Sequence, residues 1–496
     1  MLPAAPKVTG DDDRIRRAGL WAIGAITLYR VLLLALSEAE LFVDEAQYWL
    51  WGQSLEFGYY SKPPLIGWVI RAVTDLAGSD AAFWVRLPAP LLHGATALVL
   101  MAIARRFWAG WVPVLVALAY LTMPGIVVGS LLFSTDTVML PFYALALLFY
   151  LDLSGRSSAR RALAMGAALG LGAMAKYAAL YFVLGAGLTA LLVPMMRIAW
   201  RDAGLAALTF ALVVAPNAWW NLQNGLTTVE HTLDNVDWAR EVGQAPFRPN
   251  WSGLGEFVGG QFGFFGPVLF ATWLVLLVPV LRRGDPLQRL LLWFSLPVVL
   301  LVCGQALASR AYANWAAAAY VAAALLVVPA LMQGGRWRRW VLALSFVVNG
   351  VIAAALPLAT TRADSLSLDG NRLLLARYQG RAALSIEIFD AARRADLPMI
   401  VAENRDVLAD LMYRLEGQPV EVRSTPPRGR AMNHYARSYP LPEGTRGPVL
   451  YVGEAEVPPQ GCPAGDPPLA RIEPGKGAYR GRLFTLWRLP AECLLP

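Results

Sequence analysis

Asp44 and Glu45 stand side by side in Leu41-Phe42-Val43-Asp44-Glu45-Ala46-Gln47-Tyr48-Trp49, a few residues after the first apolar stretch of the chain. A carboxylate at a membrane surface, among aromatic side chains, can keep a proton affinity high enough for general-base work. The competing reading is structural, with Asp44 capping the helix that follows. Further along come Gly58-Tyr59-Tyr60-Ser61-Lys62-Pro63-Pro64-Leu65 and Phe83-Trp84-Val85-Arg86-Leu87-Pro88. Only four of the 43 basic residues are Lys, and two of these, Lys62 and Lys176, fall at expected outer membrane boundaries. In so Arg-biased a chain a retained Lys suits a compact point charge, as at a phosphate; a snorkelling Lys is the plain alternative.

Asp136, in Ser134-Thr135-Asp136-Thr137, is expected at the outer end of a span, where a carboxylate is costly unless paired or hydrated. Acceptor, Lys and a divalent ion are its candidate partners, against helix capping. Arg30 is expected to snorkel or to pair with Asp136. His231, in Val229-Glu230-His231-Thr232, is a candidate substrate contact; His93 and His434 read as structural. Zinc-spaced Cys or His pairs, a Walker loop and a nucleophile elbow are all missing from the sequence, so no metal site is assigned. No cofactor is required, and a divalent cation at Asp136 or Asp44 stays open.

These residues sit in a frame set by composition. Of 496 residues 57% are hydrophobic and 16% charged, with 18 Trp, whereas soluble domains carry roughly a quarter charged residues. A polytopic α-helical membrane protein follows, and a cytosolic enzyme, a disordered chain and a disulfide-built secreted domain are excluded. The net charge of +8 lies in short Arg clusters between apolar stretches, which marks topology rather than nucleic-acid binding.

Eleven candidate spans are about long enough for a core of roughly 30 Å. They lie near 18–36, 87–104, 110–125, 131–152, 161–175, 178–195, 203–219, 263–281, 288–307, 313–332 and 340–358. Arg clusters occupy alternate connections, so the N-terminal tail, 1–17, is expected in the cytoplasm. The connections 37–86, 126–130, 176–177, 220–262, 308–312 and everything after Leu358 are then expected outside. The loops 37–86 and 220–262 are long and rich in Trp, Tyr, Gly and Pro, where sites are commonly built on a rigid frame. Composition turns charged and Pro/Gly-rich near Thr360. Apolar runs at Met399–Ala402, Val420–Val422, Val449–Val452 and Leu483–Leu486, with a helical pattern at Asp406–Leu415, predict a small α/β domain over 359–496. Cys462 and Cys493 both fall there and are expected to pair in an oxidising compartment, two free thiols being the alternative.

Taken together, the double acid after the first span, Lys62-Pro63-Pro64, and Val85-Arg86-Leu87-Pro88 resemble the bacterial members of the protein O-mannosyltransferase-related family. Ser134-Thr135-Asp136-Thr137, Ala175-Lys176-Tyr177 and Asn314-Trp315 extend the resemblance over 18–358, within the glycosyltransferase C superfamily that includes the aminoarabinose and galacturonic acid transferases of lipid A. It implies an inverting membrane glycosyltransferase of the bacterial inner membrane that takes its sugar from a polyprenyl monophosphate. Asp44 matches the family's catalytic acid, with Glu45 orienting it or the acceptor. Lys62, Arg86, Lys176 and Arg310 are the implied phosphate ligands, and Tyr59, Asp136 and His231 the substrate contacts. The expected acceptor is an envelope lipid, glycan or protein hydroxyl. Nucleotide sugars are not expected outside the cytoplasm, which agrees with a lipid-tethered donor. One departure stands out: where the aminoarabinose branch has an acid before Lys-Pro, this chain has Ser61, which leaves the donor sugar open. A lipid or solute transporter is the main competing class, and a cell-wall assembly subunit a third; the sequence shows neither the paired halves nor the interrupted helices common in transporters, and an assembly subunit leaves the Asp-Glu and Lys-Pro-Pro loop unexplained.

Overall fold

A computed structural model of the chain describes residues 10–236, 248–367, 372–463 and 466–495. The chain divides into two compact units: Met1–Ala35 with Glu56–Val69 and Arg86–Pro357, and Leu36–Leu55 with Ile70–Val85 and Leu358–Pro496.

The first unit is helical and membrane-type. Among the described residues six helices are long and apolar enough to cross a membrane, or eight if each of two bent pairs is one span, against the eleven apolar stretches in the sequence. The difference arises because an apolar run need not be a full span. Ala319–Met332 has 14 residues, about 21 Å of helix, and Ala319 through Val328 are buried on every side. A helix apolar all round is one packed inside a larger body. By contrast Trp200–Gln223 leaves Leu212 66% and Leu222 65% exposed, a surface suited to lipid.

Proline sets both bends. Val112–Thr122 turns by 60° into Pro124–Leu131, because a residue before proline is pushed out of the helical region and Met123 sits at ψ 128°. The short outer turn expected at 126–130 is therefore helix. Trp251–Phe264 and Pro267–Arg283 meet at 114° through Gly266, whose φ of +94° a side chain would disfavour. The first bend also explains Arg30. Its guanidinium is buried and donates to the Ser130 hydroxyl at 2.8 Å and to the Leu121 carbonyl, one of the acceptors left over where a helix ends. It neither snorkels nor meets Asp136.

The second unit is built on a five-stranded sheet in the order β2-β1-β3-β5-β4. β1 (Met399–Ala402) runs parallel to both β2 (Glu421–Ser424) and β3 (Pro448–Gly453). β5 (Phe484–Pro490) is antiparallel to β3 and to the short β4 (Ala470–Ile472). Val401, Val449, Tyr451, Trp487 and Leu489 form a core on one face, and the Cys462–Cys493 disulfide packs against it. Closing a 31-residue separation contributes about 3–4 kcal/mol in the chain-entropy picture.

The segment after the first long helix belongs to this unit through its backbone. Glu38 N–H donates to the Thr360 carbonyl at 3.0 Å and Glu40 N–H to that of Tyr378 at 2.9 Å. The Glu40 carboxylate accepts from the backbone N–H of Arg381 at 2.7 Å and Ala382 at 3.2 Å. A carboxylate at the start of the helix Arg381–Arg394 satisfies donors that the helix itself cannot.

Candidate active site

Asp44 lies on the helix Val43–Gln53, whose first turn assigns the two acids different work. Phe42 is the N-cap residue, so Glu45 rather than Asp44 holds the position from which a side chain reaches back, and its Oε2 accepts the Phe42 N–H at 2.9 Å. Glu45 is 2% exposed, whereas the Asp44 side chain is 46% exposed. The capping expected of Asp44 thus falls one residue later, and Asp44 is left accessible.

Arg405 holds Asp44 in place. Its Nη2 donates to Asp44 Oδ1 at 2.5 Å, and Nε and Nη2 donate to Gln47 Oε1 at 3.1 and 3.0 Å. Asp44 and Gln47 sit nearly one turn apart, so one planar guanidinium spans both. Among the described residues no hydrogen bond reaches Asp44 Oδ2. Burial opposes the charge on Arg405, but the Asp44 carboxylate, with Tyr435 and Tyr48, makes the net displacement upward.

In the helical unit, three fragments distant in sequence converge. Lys176 Nζ donates to both oxygens of Asp136, at 2.7 and 2.8 Å, and Asn314 Nδ2 donates to Oδ2 at 2.8 Å. Lys176 is the extended residue between the helix Ala159–Ala175 and the turn Tyr177–Leu180, so the interruption aims its side chain at the first turn of Thr135–Gly155. Ser134 caps that helix, accepting the Thr137 N–H at 3.3 Å, which removes the capping role weighed for Asp136. The Lys176 charge is therefore largely answered by Asp136, whose side chain is 12% exposed and whose charge is made tolerable by its partner.

The Lys62 segment forms a tight turn. Tyr59 N–H donates to the Lys62 carbonyl at 3.1 Å, and the Thr228 hydroxyl to the Tyr59 carbonyl at 2.6 Å. Tyr59 is buried, with its hydroxyl accepting the Glu56 N–H at 3.3 Å. The His231 ring packs on Tyr60 with centroids 4.8 Å apart. Arg86 is buried. Arg310 is exposed, and a hydrogen bond to Tyr312 moves its guanidinium upward. Among the described residues no group of three or more His, Cys, Asp or Glu could hold a metal ion.

Known proteins place these features in context. Residues 61–220 match the family model of dolichyl-phosphate-mannose-protein mannosyltransferases. The lipid A galacturonosyltransferase RgtD of Rhizobium johnstonii is 41% identical over 482 residues, 97% of this chain and 99% of that one. The chain belongs to the RgtD-like glycosyltransferase family.

The RgtD-like assignment makes it an enzyme, so the transporter and assembly-subunit alternatives fall away. Two crystal structures of ArnT from Cupriavidus metallidurans share the fold: the apo form with TM-score 0.63 and 14% identity over 95% of this chain and 98% of that one, and the form bound to undecaprenyl phosphate with TM-score 0.62 and 15% identity over 94% and 97%. The family resemblance read from the motifs is met by the mannosyltransferase model and by the RgtD relative, and the ArnT structures agree with it in fold. The stretch matching the mannosyltransferase model contains Lys62, Arg86, Asp136 and Lys176 but neither Asp44 nor Arg405.

His434 is a further residue near Asp44's partner in this RgtD-like chain. It is buried, edge-on to Trp51 at 5.8 Å, with Nδ1 3.3 Å from the Ser438 hydroxyl. Burial, with Arg437 and Arg405 nearby, pulls its pKa down from 6.5 to about 3. The folded state keeps the ring neutral while the unfolded chain protonates it below 6.5, so stability is present above that value and is lost as pH falls. Asp410, pushed up from 3.8 to about 6 by burial despite Arg381, has the opposite sign over 3.8 to 6. Comparing wild type with His434→Phe isolates the imidazole: between pH 7 and pH 5 the unfolding midpoint of wild type is expected to fall more steeply. Parallel curves would refute the assignment.

Proposed function

We propose that this chain transfers a galacturonosyl unit from a polyprenyl monophosphate to a hydroxyl of lipid A, with inversion at the anomeric carbon and Asp44 as general base. The observation that carries this reading is the identity to the lipid A galacturonosyltransferase RgtD across nearly the whole of both chains. The undecaprenyl phosphate bound by the similarly folded ArnT supports a lipid-phosphate donor. Ser61 is compatible with a uronic acid. An acid at that position would suit a cationic amino sugar and repel a uronate carboxylate, and a neutral hydroxyl does neither.

In the reaction the acceptor oxygen gives its proton to Asp44 as it bonds to the anomeric carbon. The bond from that carbon to the phosphate oxygen breaks, and polyprenyl phosphate leaves with the electron pair. Negative charge grows on the departing phosphate, where a fixed cation stabilises the transition state more than the ground state. Lys62 and Arg86 fit that role, with Arg310 as a further phosphate contact, and Tyr59 and His231 as contacts to the sugar. Lys176 acts through Asp136 and Asn314, fixing the helix ends around the donor. Glu45 fixes the helix that presents Asp44. The membrane domain lies within 18–358 and the soluble domain spans 359–496, but the segments Leu36–Leu55 and Ile70–Val85 group with the soluble domain rather than with the helices; the soluble domain is read as outside the inner membrane and the tail 1–17 as cytoplasmic.

The test is transfer by the purified full chain, given polyprenyl-monophosphate sugars one at a time with lipid A. Galacturonosyl lipid A and an equal amount of released polyprenyl phosphate are expected. Transfer of only a different sugar would overturn the donor assignment, and no transfer from any lipid phosphate would overturn the reaction class. Lys62→Met is expected to lower kcat/KM for the donor about a hundredfold, the usual cost of removing one donor from a charge-stabilising site. A change under threefold would remove Lys62 from the phosphate site.

A further inference from the structure

The second unit contains a cavity that the transfer mechanism does not use. It has a volume of about 360 Å³ and opens at the carboxyl ends of β1 and β3. β1 leads through the helix Arg405–Arg414 to β2 on one side, whereas β3 lies on its other side. The cavity therefore occupies the point where the strand order reverses, the place where open α/β sheets bind ligands. Its size falls within the range of small-molecule sites.

The lining chemistry narrows the ligand. Glu403, Asn404, Arg405 and Glu454 supply the polar rim, over Val407 and Phe484. The rim is held rigid: Asn404 Oδ1 caps the helix at 2.8 Å from the Asp406 N–H, Nδ2 donates to Glu454 Oε1 at 2.7 Å, and Arg482 donates to the same carboxylate at 2.6 Å. Both glutamates remain exposed. Two carboxylates beside a helix N-terminus offset its attraction for anions, so a phosphate alone is poorly served. A ring carrying several hydroxyls is well served, since each hydroxyl both donates and accepts and the rim offers carboxylate acceptors beside guanidinium donors, with an apolar floor for the ring face.

We propose that this cavity is the acceptor subsite and holds a neutral or amino saccharide ring of the acceptor. The inference rests on the transferase reading above. One side chain makes the connection: Arg405 borders the cavity and also bonds Asp44, so a sugar seated there adjoins the residue that orients the base.

The experiment uses the full-length protein in detergent and the double variant Glu403→Ala/Glu454→Ala, both exposed positions outside the catalytic set. Saturation-transfer NMR with a glucosamine disaccharide as probe is expected to give ring-proton signals on wild type and at least fivefold weaker ones on the variant. In turnover the acceptor KM is expected to rise about tenfold, with the donor KM and kcat within twofold. No saccharide signal on wild type, equal signals on both proteins, displacement of the saccharide by equimolar inorganic phosphate, or donor and acceptor constants moving together would each overturn the subsite. Binding is read without turnover, so a wild type that binds the disaccharide yet transfers nothing would sink the transferase reading and not the cavity.

Discussion

Asp44→Asn is expected to lower kcat by about a hundredfold to ten-thousandfold, the range that a positioned general base contributes. The amide keeps an oxygen for the Arg405 Nη2 that now meets Asp44 Oδ1 at 2.5 Å, so the helix stays tethered while the proton acceptor is gone. Donor KM should change less than threefold and the unfolding midpoint by no more than about 2 °C. Loss of activity with intact stability separates the chemical role from a structural one. Activity within tenfold of wild type would remove Asp44 from the reaction.

The second large effect is on stability. Lys176→Met leaves Asp136, whose side chain is 12% exposed, with the Asn314 amide as its remaining hydrogen-bond partner. Removing one member of a buried pair costs about 3–5 kcal/mol, because the other charge stays behind. Unfolding of the detergent-solubilised variant should show a loss of that order, and Lys176→Met/Asp136→Asn should recover most of it. Equal losses in the single and double variants would mean that the pair matters only through packing.

The two predictions differ in how far the sequence foreshadowed them. Asp136, Lys176 and Asn314 each sat in a short motif of the resemblance, and a boundary carboxylate must find a partner, so a Lys was among its expected ones. Arg405 gave no comparable signal. Its partner Asp44 is 361 residues away, and nothing in the local pattern joins an arginine at the start of one helix to an acid at the start of another. The one hint is negative: a cation in the first turn of a helix opposes the macrodipole, which calls for a partner elsewhere.

Small errors of register had equally physical causes. The cap fell to Glu45 instead of Asp44 because the chain enters the helix at Phe42, and a one-residue shift exchanges a buried acid for an accessible one. The sequence predicts that Arg30 snorkels or pairs with Asp136, because a charged residue in an outer half-span commonly does one or the other. It is buried because the bend at Pro124 leaves the Leu121 carbonyl to be satisfied, and apolar periodicity does not register such a bend. In the sheet, β4 is three residues long and too short to leave an apolar run, whereas β1, β3 and β5 are buried on most positions and do.

Direct displacement at a lipid-linked sugar by a hydroxyl that Asp44 deprotonates fixes the configuration of the product. With a polyprenyl-monophosphate donor of defined anomeric configuration, NMR of the glycosidic linkage formed on the acceptor should show the opposite configuration. A retained configuration would require either two displacements or attack from the face that the phosphate leaves, and would contradict the single displacement in which Asp44 is the base.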